Sequence, residues 1–173
     1  MARRKSINNF QPGRAGRVER LKRSFPKEVN RLLKGLRFEC FGESEAGKPD
    51  YQVFNGQEII AYLEAEFPDE GRWPFGGEFR YDTIRWPLRK WEHYCQGTQP
   101  GFYNGKPLFM ISIRGDLKDA YYIDALTWCD KSQIEHVRSS VFRGFPKTYP
   151  QMGKGIEGLQ KYIISRLKKV YSL

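Results

Sequence analysis

Apolar and polar positions alternate most clearly in the stretch after residue 50. Tyr51–Phe54 and the longer run from Glu58 to Phe67 read as two strands joined by a tight turn at Asn55 and Gly56. Period-two spacing puts Glu64 and Glu66 on one face of the second strand with Ile60 and Tyr62, and Ile59, Ala61, Leu63 and Ala65 on the other. After a turn at Asn104 and Gly105, the run from Pro107 to Ile113 is apolar on both faces, which predicts a strand near the centre of a sheet covered by helices. AYYID, residues 120–124, is a further strand, and RGDLKD between the two is a turn rather than an adhesion motif.

Helical spacing appears on either side of these strands. Val18, Leu21, Phe25, Val29, Leu32 and Leu33 form an apolar stripe over residues 17–34, interrupted or restarted near Pro26, with Ser24 available as a cap and Gly35 as the stop. LRFECF then reads as the first strand, and GESEAGKPD as a polar connection. Leu88, Trp91 and Tyr94 predict a helix after Pro87, and Leu159, Tyr162, Ile163, Leu167 and Val170 predict a last helix with a basic edge. PDEGRWPFGG, residues 68–77, is a loop in which Trp73 and Phe75 anchor to the core in preference to stacking on bases. The expected organisation is a basic flexible arm at 1–16, which either contacts phosphates or stays disordered, and one domain at 17–173.

Charge adds a segregation that the elements alone do not show. Residues 1–37 hold twelve Lys or Arg against Glu19 and Glu28, whereas residues 38–83 hold three basic and eleven acidic residues, and the rest of the chain is again basic. A basic scaffold around an acidic patch suits a polyanion drawn to a cation-binding centre, since bare carboxylates repel phosphate unless a cation intervenes. No apolar run is long enough to span a bilayer and the first residues lack a secretory stretch, so a cytoplasmic setting is expected. Cys40, Cys95 and Cys129 are odd in number and widely spaced, which predicts scattered thiols rather than a zinc site. A phosphate-binding Gly-rich loop, HExxH and GxSxG are all missing, and neither His93 nor His136 is expected to act in catalysis.

The chemistry-bearing constellation is Asp50, Glu64 and Glu66, three carboxylates on two adjoining strands. Their mutual repulsion raises proton affinities, a penalty that a divalent cation offsets. Pro49-Asp50 followed fourteen residues later by Glu64-Ala65-Glu66 resembles the PD-(D/E)xK nuclease superfamily, and the likeness extends more diffusely over residues 17–125. That resemblance implies an α/β fold, a restriction-endonuclease-like mixed sheet flanked by helices, and a metal-dependent DNA endonuclease using Mg²⁺, with Mn²⁺ as a substitute. Asp50 and Glu64 would bind metal with either Glu39 or Glu43. Glu66 would stand where the family usually has Lys, as in some restriction enzymes with a second Glu, and would orient the water or accept its proton.

Arg3, Arg4 and Lys5 in the arm, with Arg85, Arg89 and Lys90, are the expected nucleic-acid contacts, the last three being candidates for the missing positive charge near phosphate. Cutting both strands of a double-stranded or branched DNA calls for two sites, hence an expected homodimer. Two other classes compete with this reading. One is a DNA- or RNA-binding protein on a nuclease-like fold without catalysis, and the other is a structural protein-interaction module.

Overall fold

The computed structural model describes residues 12–42 and 47–173. The protein is a mixed α/β structure. A seven-stranded sheet runs in the order β1 (Leu36–Cys40), β2 (Tyr51–Asn55), β3 (Glu58–Glu66), β6 (Lys106–Ile113), β7 (Ala120–Asp124) and β10 (Gly153–Lys154), with β5 (Phe102–Tyr103) also paired to β6. β3 and β6 are parallel, and the other pairings in this sheet are antiparallel. A second, three-stranded antiparallel sheet is ordered β4 (Thr83–Pro87), β9 (Ser140–Pro146), β8 (Gln133–Val137).

Helices α1 (Pro12–Leu32) and α4 (Leu159–Lys169) cover one face of the large sheet, in a core built around Phe25, Val29, Leu63, Ile111 and Ile163. The opposite core sets Tyr62 and Met110 of the large sheet against Trp73 of the 68–80 loop, Trp86 of the small sheet, Tyr94 of α2 (Leu88–Cys95) and Trp128 of α3 (Ala125–Lys131). As the two-faced apolar pattern predicts, β6 is central and buried from Pro107 onward. One of its covers includes the three-stranded sheet, where the apolar pattern predicts helices alone.

The first helix differs from its expected form and positions the site. It starts at Pro12, so residues 12–16 of the expected arm are helical, and it passes through Pro26 without a break. Proline has no N–H to give the carbonyl four residues earlier, here that of Lys22. The Tyr51 hydroxyl donates to this Lys22 carbonyl at 2.9 Å, and Phe25 and Tyr51 pack with ring centroids 5.4 Å apart. Burial of Phe25 and Val29, each contributing about 1.5–3 kcal/mol, offsets the lost helical bond. Asn30 adds a second tie by exchanging two 2.8 Å hydrogen bonds with the Phe38 backbone. Helix α1 is thereby fixed over the start of β2.

The β2–β3 hairpin turns at Gly56 and Gln57, one residue later than expected, because Asn55 already pairs with Glu58. Gly56 has φ +65°, the left-handed conformation that suits glycine in such a turn. A bulge follows, since Val53 pairs with Ala61 while Phe54 pairs with Ile59. Ile60 is the extra residue, so the simple alternation fails there: Ile59 joins Tyr62 on the α2 side, and Ile60 joins Ala61 and Leu63 on the α1 side. Beyond the bulge, Glu64 and Glu66 do share a face. Trp73 is wholly buried, whereas Phe75 is half exposed.

Candidate active site

The pairing of Tyr51 with Leu63, continued by one residue, sets Asp50 opposite Glu64. Asp50 donates its backbone N–H to the Leu63 carbonyl at 3.0 Å, and its Oδ2 accepts from the Ala65 N–H at 2.8 Å. The carboxylate is thus strapped across the hairpin at the point where β2 begins and β3 ends. Its other oxygen, Oδ1, lies 2.9 Å from Lys22 Nζ, which α1 brings in from one layer.

Glu64 is met from the opposite layer by α2. Tyr94 donates to Glu64 Oε1 at 2.8 Å, and Lys90 Nζ lies 2.7 Å from Oε2. The same ammonium pairs with Glu66 and donates to the Ala65 carbonyl at 3.2 Å. A cation therefore sits among three oxygens at the end of β3. Helical spacing explains the pair of contacts: Lys90 and Tyr94, four residues apart, project from one face of α2.

Electrostatics at this point are unusual. Glu64 is only 5% exposed. Burial, reinforced by the Asp50 charge and opposed by Lys90 and Tyr94, lifts its carboxyl from 4.5 to about 7. Burial pulls Lys90 the other way, but Glu64, Glu66 and Asp50 outweigh it and hold the ammonium protonated above its usual range. Burial and the Glu64 charge push Tyr94 up, so it remains a neutral donor.

These residues open onto a cleft of about 770 Å³ whose rim carries Arg17, Lys48, Arg72 and Arg89. His93 also lines it and donates from Nε2 to the Gly47 carbonyl at 2.7 Å, which holds the start of the strand-leading segment against α2. The cleft lining therefore mixes the carboxylates of Asp50, Glu64, Glu66 and Asp69 with six Lys or Arg side chains, two of which, Lys22 and Lys90, are paired directly with the carboxylates.

The expected site residues separate into three groups. Asp50, Glu64, Glu66, Arg89 and Lys90 come together in the cleft. Glu39 does not join them: on β1 it is exposed and paired with Arg37 Nε at 2.6 Å. Arg85 also lies elsewhere, on β4 of the small sheet, with its guanidinium over the rings of Tyr81 and Phe142. Glu43, Arg3, Arg4 and Lys5 lie outside the described residues.

Lys22 and Tyr94 were not anticipated as site residues. The i, i+4 spacing of Tyr94 from Lys90 was a usable signal, whereas nothing local to Lys22 announces Asp50 twenty-eight residues later. The cysteine expectation is corrected too. Cys95, at the end of α2, forms a disulfide with Cys129 of α3, leaving Cys40 as the free thiol.

Among the described residues, no group of three or more His, Cys, Asp or Glu side chains is arranged as a metal cage. Mg²⁺ does not require one, because it binds through one or two carboxylates and keeps several waters. Two carboxylates and the Ala65 carbonyl are hard oxygen donors of the right kind, and the oxygens around Lys90 Nζ already surround a positive charge. Among the described residues no helix is long and apolar enough to cross a membrane. No protein-family model matches the chain, and no curated protein or solved structure matches it either.

Proposed function

We propose that the protein is a Mg²⁺-dependent DNA endonuclease on a restriction-endonuclease-like mixed sheet. The observation that carries this reading is the placement of Asp50 opposite Glu64 at the floor of a cleft, with the Lys90 ammonium beside Glu64 and arginines at the rim. Metal-dependent phosphodiesterases use a cation held by carboxylates and positive groups along the flanking backbone, and the residues of this cleft offer candidates for both roles.

Asp50, Glu64 and the Ala65 carbonyl would hold Mg²⁺, which when bound supplies charge neutralisation at the scissile phosphate and activation of water. Arg17, Arg72 and Arg89 hold the phosphates on either side and fix the strand's register in the cleft. Lys90 directs its positive charge at the phosphate oxygens on which negative charge accumulates as water attacks phosphorus and the P–O bond to the leaving oxygen breaks. Glu66, one-third exposed and next to Lys90, accepts the proton lost by the attacking water. Tyr94 keeps Glu64 oriented. Cleavage of both strands of a duplex would use two copies of the chain.

A second reading is a DNA-binding protein that does not cut. It is favoured by the pairing of Asp50 with Lys22 and of Glu64 with Lys90, which satisfies both carboxylates from within the chain. The deciding experiment compares the wild-type protein with Asp50→Asn and Glu64→Gln on labelled linear, nicked and branched DNA, with Mg²⁺ or with chelator, while measuring binding separately. Metal-dependent cutting lost in both variants with binding retained supports the endonuclease. Binding without cutting on every substrate overturns it in favour of the second reading.

A further inference from the structure

Asp50 lies where two cavities meet. Beyond it a second lobe of about 620 Å³ runs between α1 and the described residues Phe41, Gly42, Lys48 and Pro49, and it shares Lys22, Lys48 and Asp50 with the carboxylate cleft. Its α1 wall is formed by Glu19, Lys22, Arg23 and Lys27, which share one helix face at three- and four-residue spacing. Four cations thus face two carboxylates.

Lys22 is paired with Asp50, whereas Arg23 and Lys27 are weakly compensated. Arg23 reaches Glu19 only at 4.0 Å and is two-thirds exposed. Lys27 is exposed and has no ion pair among the described residues. Arg23 and Lys27 also stand four residues apart, a like-charge spacing that costs a few tenths of a kcal/mol on a helix. Across the lobe, Lys48 Nζ stands 4.5 Å from the centre of the Phe41 ring. An anion is what this wall lacks, and its length indicates which kind. From Arg17 in the first cleft to Lys27 in the second, α1 advances about 15 Å, roughly the axial length of four phosphates in a B-form strand.

Resting on the endonuclease reading, we infer that this lobe carries the DNA backbone leaving the scissile phosphate, so that a strand passes through the site and is held on both sides of Asp50. A site open at both ends acts on internal bonds. It does not require a strand terminus.

Cys40 lines the second lobe and is the chain's one thiol outside the disulfide, which makes it a reporter of occupancy. The rate of Cys40 alkylation by a maleimide is measured on the full chain in chelator, with and without a saturating short oligonucleotide whose binding is followed by anisotropy. Bound DNA is expected to slow alkylation several-fold. In an Arg23→Gln, Lys27→Gln double variant that protection is expected to fall away, and the slope of log affinity against log salt to drop by about one per charge removed. Both substitutions are on exposed positions, and stabilisation by Mg²⁺ alone is expected to be retained.

An unchanged alkylation rate on protein shown to be DNA-bound overturns the track while leaving the endonuclease reading intact. Failure of any DNA to bind overturns both. Cutting of circular single-stranded DNA supports passage through the site, and cutting confined to free ends overturns the endonuclease reading together with the track.

Discussion

Lys90 and Glu64 form an almost buried ion pair, 2.7 Å apart and with side chains 12% and 7% exposed, within a site floored by carboxylates. Removing one partner of such a pair typically costs about 3–5 kcal/mol, because the other charge is left buried. Here the cost depends on pH, since Glu64 can escape by taking up a proton. Lys90→Met is therefore expected to destabilise the protein by about that amount near pH 8 and by clearly less near pH 5.5. Cleavage is expected to fall by about 10²–10³-fold as the positive charge beside phosphate is lost. Denaturant unfolding at the two pH values tests the first statement; an equal loss at both means that Glu64 does not change its protonation.

The raised Glu64 carboxyl has a second consequence. From 4.5 in the unfolded chain to about 7 in the fold, the native state binds the extra proton across that window, so this group's contribution to stability falls as pH rises through it. Above about pH 7 the penalty is complete, on the order of 3 kcal/mol. Mg²⁺ needs the carboxylate and competes with that proton. Stabilisation by Mg²⁺ is expected to be full above about pH 7 and to weaken by roughly tenfold in affinity per pH unit below it. Thermal melts with and without Mg²⁺ across this range measure the effect, and a pH-independent Mg²⁺ shift rules out Glu64 as a ligand.

Tyr94→Phe isolates the hydrogen bond to Glu64 Oε1 without altering the ring packing. The loss removes a donor that favours the charged carboxylate, so the Glu64 carboxyl moves above about 7 and the pH at which Mg²⁺ begins to stabilise the protein moves upward with it. A stability loss of about 1.5–3 kcal/mol near pH 8 is expected, as for a hydrogen bond to a charged group. A variant that loses stability while keeping the wild-type pH midpoint would assign Tyr94 to packing alone.

The parts of this fold that were legible in the sequence are those whose burial is one-sided or complete. The hairpin carrying Asp50 and Glu64, the central strand through Met110 and the last helix all follow from apolar spacing, because one residue pattern meets one environment there. β8 and β9 were not legible: Gln133, Ile134 and His136 are exposed and Glu135 is half-buried, so no alternation marks the strand. The bulge at Ile60 was hidden as well, since either parity there places an isoleucine in a core. Lys90 was among the candidates for the missing positive charge, but its contact with Glu64 spans a loop and a strand that contain no local sign of it. Lys22 depends on a relay from Pro26 through Tyr51 that exists only in the folded chain.

The Cys95–Cys129 bond closes 34 residues of chain and ties the end of α2 to α3. A loop of that size corresponds to about 4 kcal/mol of chain entropy removed from the unfolded state. The Cys95→Ala, Cys129→Ala variant is expected to unfold at lower denaturant by an amount equivalent to about 2–4 kcal/mol, and a dithiol reductant is expected to bring the wild-type protein to the same midpoint. Because α2 carries Lys90 and Tyr94, the affinity for Mg²⁺ is expected to weaken in parallel. An unchanged midpoint in the variant shows that the Trp91 Nε1 hydrogen bond to the Cys129 carbonyl, with the surrounding packing, holds these helices together without the disulfide.

Lys22 gives the sharpest separation between the two functional readings, because its removal acts with opposite sign on two ligands. Lys22 Nζ lies 2.9 Å from Asp50 Oδ1 and is partly exposed; in general two unit charges about 4 Å apart at an effective dielectric of about 20 interact by about 4 kcal/mol, which exposure scales down. Lys22→Met leaves the Asp50 carboxylate without its ammonium partner and, among the described residues, with the hydrogen bond from the Ala65 N–H. If Asp50 is a metal ligand, Mg²⁺ then meets a more negative site and its affinity is expected to rise on the order of tenfold, while DNA affinity in chelator falls because a phosphate contact is gone. If the Lys22–Asp50 pair is only a structural strap, the variant loses stability, and Mg²⁺ neither binds more tightly nor restores it. Calorimetric titration with Mg²⁺, paired with anisotropy on a labelled oligonucleotide, reads both signs on one protein preparation. Tighter metal with weaker DNA is the outcome a cation-dependent nuclease requires, and weaker DNA with unchanged metal binding removes Asp50 from the metal site.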